Sequence, residues 1–344
     1  MTRPLVPIIG LVALGICLVG AFYDWTAFLR SWLVASLTWG ALPLGAAAVL
    51  MTFAMTGGAW GQASQGVWRA LTFTMPLFAL AMLPVLFGVD ALFSWTRPPS
   101  ELPEVVRRKL LYLNEPFLLV RWIVYFVVWL GLAWLLAFKA RLARSIAAPG
   151  LILWVFTLTF FSTDWYMSLE PEFYSDVFGL ERICAMAASG MALGLWILAP
   201  HVTPAVRKDI ANIWLAVLLS WAFMGFSQLI VIWSGNIPDE IIWYIHRAEG
   251  SWQWIGRMSF VLFLLIPFTI LLSTAAKQSP GWLRIAAGIC LAGYVLQTQW
   301  MVLPAFEEWR TAQSWLVPAA LVAIGGGFIW VIGRSLEHQE AHDE

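Results

Sequence analysis

Four ionisable residues interrupt apolar stretches of this sequence, and they are the side chains best placed to do chemistry. Arg121, Asp164 and the adjacent Glu181 and Arg182 each lie near one end of such a stretch. One charge at the centre of a membrane helix costs about 2.5–3.5 kcal/mol, so each charge requires a partner or a function. A carboxylate held by a guanidinium here would serve a proton path, or would only fix the packing of two helices. Both interpretations stay open from sequence alone, and short connections predict that Arg121 pairs with Asp164 or Glu181.

A second polar group surrounds the end of the seventh apolar stretch. Gly235 and Pro238 are turn residues, and an apolar pattern resumes after them. This order predicts a short interfacial or re-entrant helix, and the segment is either a packed external loop or part of a site. The further candidate residues for a binding site or proton path are Glu170, Gln228, Trp233, Asn236, Glu240, Tyr244 and Arg247.

Histidine and cysteine are scarce, which limits the metal chemistry of the chain. His201 and His246 lie in connections and His338 and His342 near residue 340, whereas a haem between membrane helices needs two facing imidazoles. Each of the three cysteines stands alone in an apolar stretch, so no C-x-x-C-H motif, Fe–S ligand run or zinc pair exists. We therefore predict that this chain binds no metal and no redox cofactor, and that any redox centre belongs to a partner.

The elements that must position these residues are membrane helices. Of the 344 residues, 61% are hydrophobic and 12% charged, against about 25% charged in soluble domains. A span needs about 20 apolar residues, and hydropathy divides the chain into ten such stretches. We predict one all-α integral membrane domain over residues 1–344 in a lipid bilayer, and the zero net charge argues against a nucleic-acid partner. The predicted spans are 4–22, 31–55, 70–89, 117–138, 150–167, 177–199, 210–233, 252–275, 283–303 and 314–334.

Charged residues separate between the two ends of the predicted spans. The even-numbered connections are basic with Asp209 as their acid, while the odd-numbered ones carry most of the carboxylates, beside Arg107, Arg108 and Lys109. Basic connections tend to face the cytoplasm. We therefore predict a multi-pass protein of a bacterial cytoplasmic membrane, with both termini cytoplasmic. The basic residues of the even connections are Arg69, Lys139, Arg141, Arg144, Arg207, Lys208, Lys277 and Arg284.

Three further segments carry a specific pattern: 56–61 (TGGAWG), 162–174 (STDWYMSLEPEFY) and 220–250, which contains IWSGN. With 112–121, they resemble the larger integral membrane subunits of alternative complex III, a quinol:cytochrome c oxidoreductase. The sequence is most similar to its ActF-type quinone-binding subunit 2, a relative of the NrfD-like polysulfide-reductase membrane proteins. The resemblance covers about 31–305.

This resemblance implies a fold of two four-helix bundles and two additional helices. It implies a cofactor-free subunit of a quinol:cytochrome c, or other high-potential acceptor, oxidoreductase that contributes to quinol binding, proton conduction or assembly. The quinone would be menaquinone or ubiquinone. Haem c and Fe–S clusters would lie in the partners, namely multihaem and monohaem cytochrome c subunits, a large Fe–S subunit and a paralogous NrfD-like membrane subunit. Arg121, Asp164 and the segment 228–247 would lie beside the quinol or in a proton path.

The sequence also departs from that family. Glu172-Phe173 replaces a His-aromatic pair, Glu181-Arg182 occupies a stretch that is usually apolar, and Gln297 stands where a carboxylate is expected. The paralogous subunit would then oxidise quinol while this chain conducts protons or braces the assembly. The alternatives are a stand-alone secondary transporter or proton channel, and a purely structural membrane subunit. Whether the chain is itself an enzyme stays open.

Overall fold

The protein is built from helices that are long enough to cross a bilayer. A computed structural model describes residues 5–138, 140–306 and 315–343, and these residues form no strand. Ten of their helices have the length and apolar composition of membrane spans. The predicted all-α polytopic membrane fold is therefore confirmed. Lys139 and the side chains of Arg141 and His342 lie outside the described part.

We number these ten helices as spans 1 to 10 in chain order. Span 3 is interrupted at residues 73–74, and span 8 contains a π-helical turn at Val261–Leu265. The spans are Leu5–Tyr23, Trp25–Thr56, Ala59–Phe87, Glu115–Phe138, Ala140–Trp165, Phe178–Leu198, Pro204–Gly235, Trp252–Leu272, Pro280–Val302 and Leu316–Asp343.

Capping residues explain where several spans begin and end. The Asp24 carboxylate accepts a hydrogen bond from the Ala27 amide at 2.9 Å. This N-cap begins span 2 directly after Asp24, which is the one residue between spans 1 and 2. Thr203 caps span 7 in the same way, with Pro204 at its first position. Asn236 ends span 7 in the left-handed conformation, with φ of 49°.

Short helices connect the spans. The longest of them, Pro238–Ala248, follows the turn after span 7, where the sequence predicts a short helix. The other α-helical turns are Val89–Leu92, Glu104–Arg107 and Thr274–Gln278, and 3₁₀ turns occur at Ser94–Thr96, Pro99–Glu101, Met167–Leu169 and Leu303–Ala305.

The spans pack as two bundles with two additional helices. Spans 2 to 5 contact one another as the first bundle, and spans 6 to 9 as the second. Spans 2 and 6 form the most extensive contact between the bundles, while spans 1 and 10 pack together against span 2. This arrangement agrees with the fold that the resemblance implies.

The two bundles meet at a pair of glycines. Gly45 of span 2 and Gly190 of span 6 are opposed so closely that a Cβ on Gly190 would lie 2.9 Å from the Gly45 Cα. A Cβ on Gly45 would clash with the carbonyl oxygen of Met186. Membrane helices lack a hydrophobic force that holds them together, so the van der Waals packing that small residues allow helps to hold these two spans in contact.

The substitution Gly45→Ala is expected to destabilise the interface between the bundles. The added methyl group meets backbone atoms, which cannot rotate away, and overpacking of this kind costs about 1–3 kcal/mol. Thermal unfolding of the purified protein in detergent measures the effect. Gly131→Ala in span 4 is the matched control, because its Cβ would meet open space. Equal unfolding temperatures for the two variants would contradict the close contact.

Candidate functional site

Three connections meet at one end of the molecule, which we call the acidic end: 88–114, 166–177 and 236–251. Lys109 of the first donates a hydrogen bond to the Pro171 carbonyl oxygen at 2.7 Å. Glu170 pairs with Arg247 of the third, with 2.6 Å between Oε2 and Nη1. The connection 166–177 thus holds the two bundles together at this end, and the candidate residues lie around it in three clusters.

The first cluster is a buried ion pair between spans 4 and 5. Arg121 donates from Nε to Asp164 Oδ2 and from Nη2 to Asp164 Oδ1, each at 2.9 Å. Tyr125 donates a further hydrogen bond to Oδ2 at 2.7 Å. Arg121 is 7% exposed and Asp164 1%. The two-pronged geometry fixes the carboxylate in orientation as well as position, and it selects Asp164, not Glu181, as the partner of Arg121.

Two aromatic rings cover this pair from the acidic end. The Arg121 guanidinium carbon lies 3.9 Å from the centre of the Tyr112 ring and 4.4 Å from that of Phe117, and Arg121 also donates to the Tyr112 carbonyl oxygen at 2.9 Å. Burial, followed by the negative charge of Asp164, raises the pKa of Tyr112, so its hydroxyl keeps its proton.

A cleft of about 440 Å³ lies directly beside the pair. Tyr112 and Phe117 line one side of it and Thr163, next to Asp164, lines another. Phe173 and Tyr174 supply further rings, and Phe173 is held by stacking on Trp243 with 4.9 Å between ring centres. The cleft has the size and mainly apolar lining of sites for small organic ligands.

The second cluster surrounds Glu181 in span 6. Glu181 accepts two hydrogen bonds from the adjacent Arg182 and one from Trp221 of span 7. Gln297 of span 9 lies within 3.4 Å of the carboxylate. With its amide turned over, the Gln297 oxygen accepts from Arg182 at 2.9 Å and from Trp221 at 3.0 Å. Arg182 is completely buried, so this charge pair lies inside the second bundle.

The third cluster joins the connection 166–177 to the helix Pro238–Ala248. Glu170 forms an ion pair with Arg247 and lies 2.8 Å from Nδ1 of His246. Gln228 donates to the Tyr244 hydroxyl at 3.2 Å and accepts from Ser175 at the same distance. This cluster brings together four of the residues that the sequence selects.

The remaining candidates lie at the edge of these clusters. Glu240 is buried, and the hydrogen bond that it accepts from Tyr174 raises the pKa of that tyrosine. Trp233 is 74% exposed, as expected for a side chain that faces lipid or the interface. Asn236 is the C-cap of span 7, and its backbone N–H donates to the Ile232 carbonyl oxygen at 3.1 Å. Trp233 and Asn236 therefore lie outside the three clusters: Trp233 faces outward, and Asn236 ends the helix of span 7.

Comparison with known proteins assigns this chain to no family. No protein-family model matches the chain, and no curated protein matches it. The functional interpretation of the clusters therefore rests on their own side chains.

Sequence reasoning missed two of the side chains that hold these carboxylates. Tyr125 lies four residues after Arg121 on span 4, and that spacing places both side chains on one helix face. The spacing was a usable signal for a shared partner. Trp221 contacts Glu181 from a point 40 residues along the chain, and no local pattern marks it.

Proposed function

We propose that this protein is a cofactor-free membrane subunit of a quinol-oxidising respiratory complex, and that quinol binds in the cleft beside Arg121 and Asp164. The observation that carries this proposal is a fixed, buried Arg–Asp pair next to an apolar cleft of about 440 Å³. A quinol is a flat, apolar molecule with two hydroxyl groups. Its binding needs aromatic surfaces and a small number of oriented polar groups, which is the composition of this cleft.

In this proposal the site accepts the protons that the quinol releases when it is oxidised. Oxidation of a quinol to a quinone removes two electrons and two protons, and the electrons pass to haem or Fe–S centres in partner subunits. Tyr112 lines the cleft and also lies against the charge of Asp164. In this proposal its protonated hydroxyl passes a quinol proton toward the carboxylate, which Arg121 and Tyr125 hold in position.

The arrangement of charge supports the cellular setting of this proposal. The acidic end, which carries the cleft, lies opposite the basic connections, so protons would leave on the outer side of a bacterial cytoplasmic membrane. The multihaem and monohaem cytochrome c subunits, the large Fe–S subunit and the paralogous membrane subunit would complete the complex.

A purely structural role is the main alternative, since a buried ion pair also fixes helix packing. A cleft-filling substitution separates the two functions because it leaves the pair intact. Thr163→Phe is expected to lower quinol oxidation by the assembled complex by about tenfold or more, the scale of effect when a side chain obstructs a binding pocket. Turnover is measured with a soluble quinol and a cytochrome c acceptor.

The matched control for this variant is Thr269→Phe. Thr269 is an exposed residue of span 8 that, like Thr163, donates to the carbonyl oxygen four residues earlier. This control should keep the turnover of the parent protein. Normal turnover by Thr163→Phe in a complex that retains its haem subunits would count against quinol binding in the cleft and favour the structural role.

A further inference from the structure

A second cavity at the acidic end has no part in the quinol proposal. It has a volume of about 580 Å³ and lies where spans 8 and 9 meet the helix Pro238–Ala248. Arg247, Gln253 and Arg257 supply its polar lining, and Phe260 and Trp300 part of its apolar lining. The cavity thus combines several hydrogen-bond donors with an apolar wall.

Arg247 leaves one of these donors without a partner. The side chain is 2% exposed, pairs with Glu170, and donates to the carbonyl oxygens of Trp243 and Met301, both at 2.9 Å. Its Nε has no hydrogen-bond partner among the described residues. A buried donor without a partner carries a desolvation cost, so a ligand oxygen in the cavity would stabilise this side chain.

Arg257 carries a positive charge that no carboxylate among the described residues balances. The side chain is exposed, and its guanidinium carbon lies 4.7 Å from the centre of the Trp254 ring. Within the described part of the chain no carboxylate, Glu249 included, lies within ion-pair distance of Arg257. Arg247 and Glu170 balance each other, so within the described residues the cavity carries the positive charge of Arg257.

An exposed apolar segment of span 8 lies beside the cavity. Met258, Phe260 and Leu265 are 48%, 44% and 42% exposed, and all three follow Arg257 toward the middle of the span. Arg257 lies in the second turn of the span, at the level where tryptophan and arginine meet lipid head groups. The donors thus lie at head-group depth and the apolar segment at acyl-chain depth.

We propose that this cavity binds the phosphodiester head group of an anionic phospholipid, with an acyl chain along the apolar segment of Met258, Phe260 and Leu265. Arg257 supplies the charge that selects an anionic lipid, and Arg247 and Gln253 supply fixed donors for phosphate oxygens. Free phosphate shares this head-group chemistry, but it would leave the apolar segment of span 8 without a contact.

Arg284 offers a closely matched control for Arg257. Its guanidinium carbon lies 4.6 Å from the ring centre of Trp196, so it makes the same kind of arginine–tryptophan contact. It lies at the start of span 9, at the opposite end of the molecule, and has no part in this cavity.

The test measures lipid retained by the full chain, by native mass spectrometry from micelles doped with phosphatidylglycerol or phosphatidylcholine. We expect the parent protein to retain phosphatidylglycerol in preference to phosphatidylcholine. Arg257→Gln should lower that retention about fivefold, and Arg284→Gln should leave it unchanged. Arg257 is exposed, so its substitution should not unfold the protein.

Three results would overturn the proposal. The first is equal retention of the two lipids, and the second is an equal loss in the two arginine variants. The third comes from an arm with inorganic phosphate: if phosphate alone raises the unfolding temperature of the parent protein as much as phosphatidylglycerol does, the cavity takes a free anion. Stabilisation by phosphatidylglycerol that phosphate does not reproduce supports the lipid site.

Discussion

Replacement of Glu181 by glutamine is expected to leave little folded protein. Arg182 is completely buried, and the Glu181 carboxylate is the negative charge that balances it. Removal of one member of a buried pair costs about 3–5 kcal/mol, because the other charge remains away from water. That is a large part of the roughly 5–15 kcal/mol by which proteins are stable. The yield of monodisperse protein and its unfolding temperature in detergent measure the loss.

A double variant shows whether the effect comes from the unbalanced charge. Glu181→Gln combined with Arg182→Met removes both charges, and we expect it to recover most of the yield, since neutral replacements of a whole buried pair are often tolerated. Glu104→Gln is the exposed control: Glu104 pairs with Arg107 and Arg108 in solvent, and its loss should not change the unfolding temperature measurably. If the double variant is as unstable as the single one, the pair is not the cause.

Asp164→Asn is expected to lower quinol oxidation by the assembled complex by about 100-fold or more, the usual contribution of a proton-accepting side chain. The amide cannot accept a proton from Tyr112, and it places a donor opposite Arg121 where the carboxylate has an acceptor. Turnover per complex is measured after copurification has shown that the haem-bearing partners are retained.

Two tyrosine variants distinguish a proton-handling role of this cluster from a structural one. Tyr125 donates a direct hydrogen bond to Asp164, so Tyr125→Phe should cost more stability, about 1–2 kcal/mol. Tyr112 lines the cleft, so Tyr112→Phe should cost little stability but should lower turnover more strongly. If turnover instead follows stability, with Tyr112→Phe close to the parent protein, the Arg–Asp pair serves packing and the quinol proposal fails.

Hydropathy was sufficient to predict ten spans, but it reports apolar length and not helix length. Span 3 begins at Ala59, well before its apolar stretch, because the first turns carry polar residues such as Gln62 and Gln65 and still form helix. Span 7 begins at Pro204, where Thr203 provides a cap. Caps and amphipathic turns therefore account for most of the difference between predicted and observed bounds.

The pairing of charges was predictable only in part. Neighbouring spans brought Arg121 and Asp164 together as the sequence suggested. The partner of Glu181 was not predictable in this way. It is the adjacent Arg182, and side chains adjacent on a helix do not normally face each other. Glu181 and Arg182 do so here, and Trp221 of the neighbouring span 7 donates a hydrogen bond to the same carboxylate. Contacts of that range leave no mark in local sequence.

The adjacency of Glu181 and Arg182 has a consequence for biosynthesis. Gln297 follows Glu181 by 116 residues, which at about 5–20 residues per second reaches the ribosome exit about 6–23 s later. Throughout that interval the second bundle is incomplete and Glu181 lacks this neighbour. Because its counter-ion is the next residue in the chain, the carboxylate enters the lipid as half of a neutral unit. Nascent span 6 therefore carries no net charge at this position before spans 7 to 9 have been synthesised.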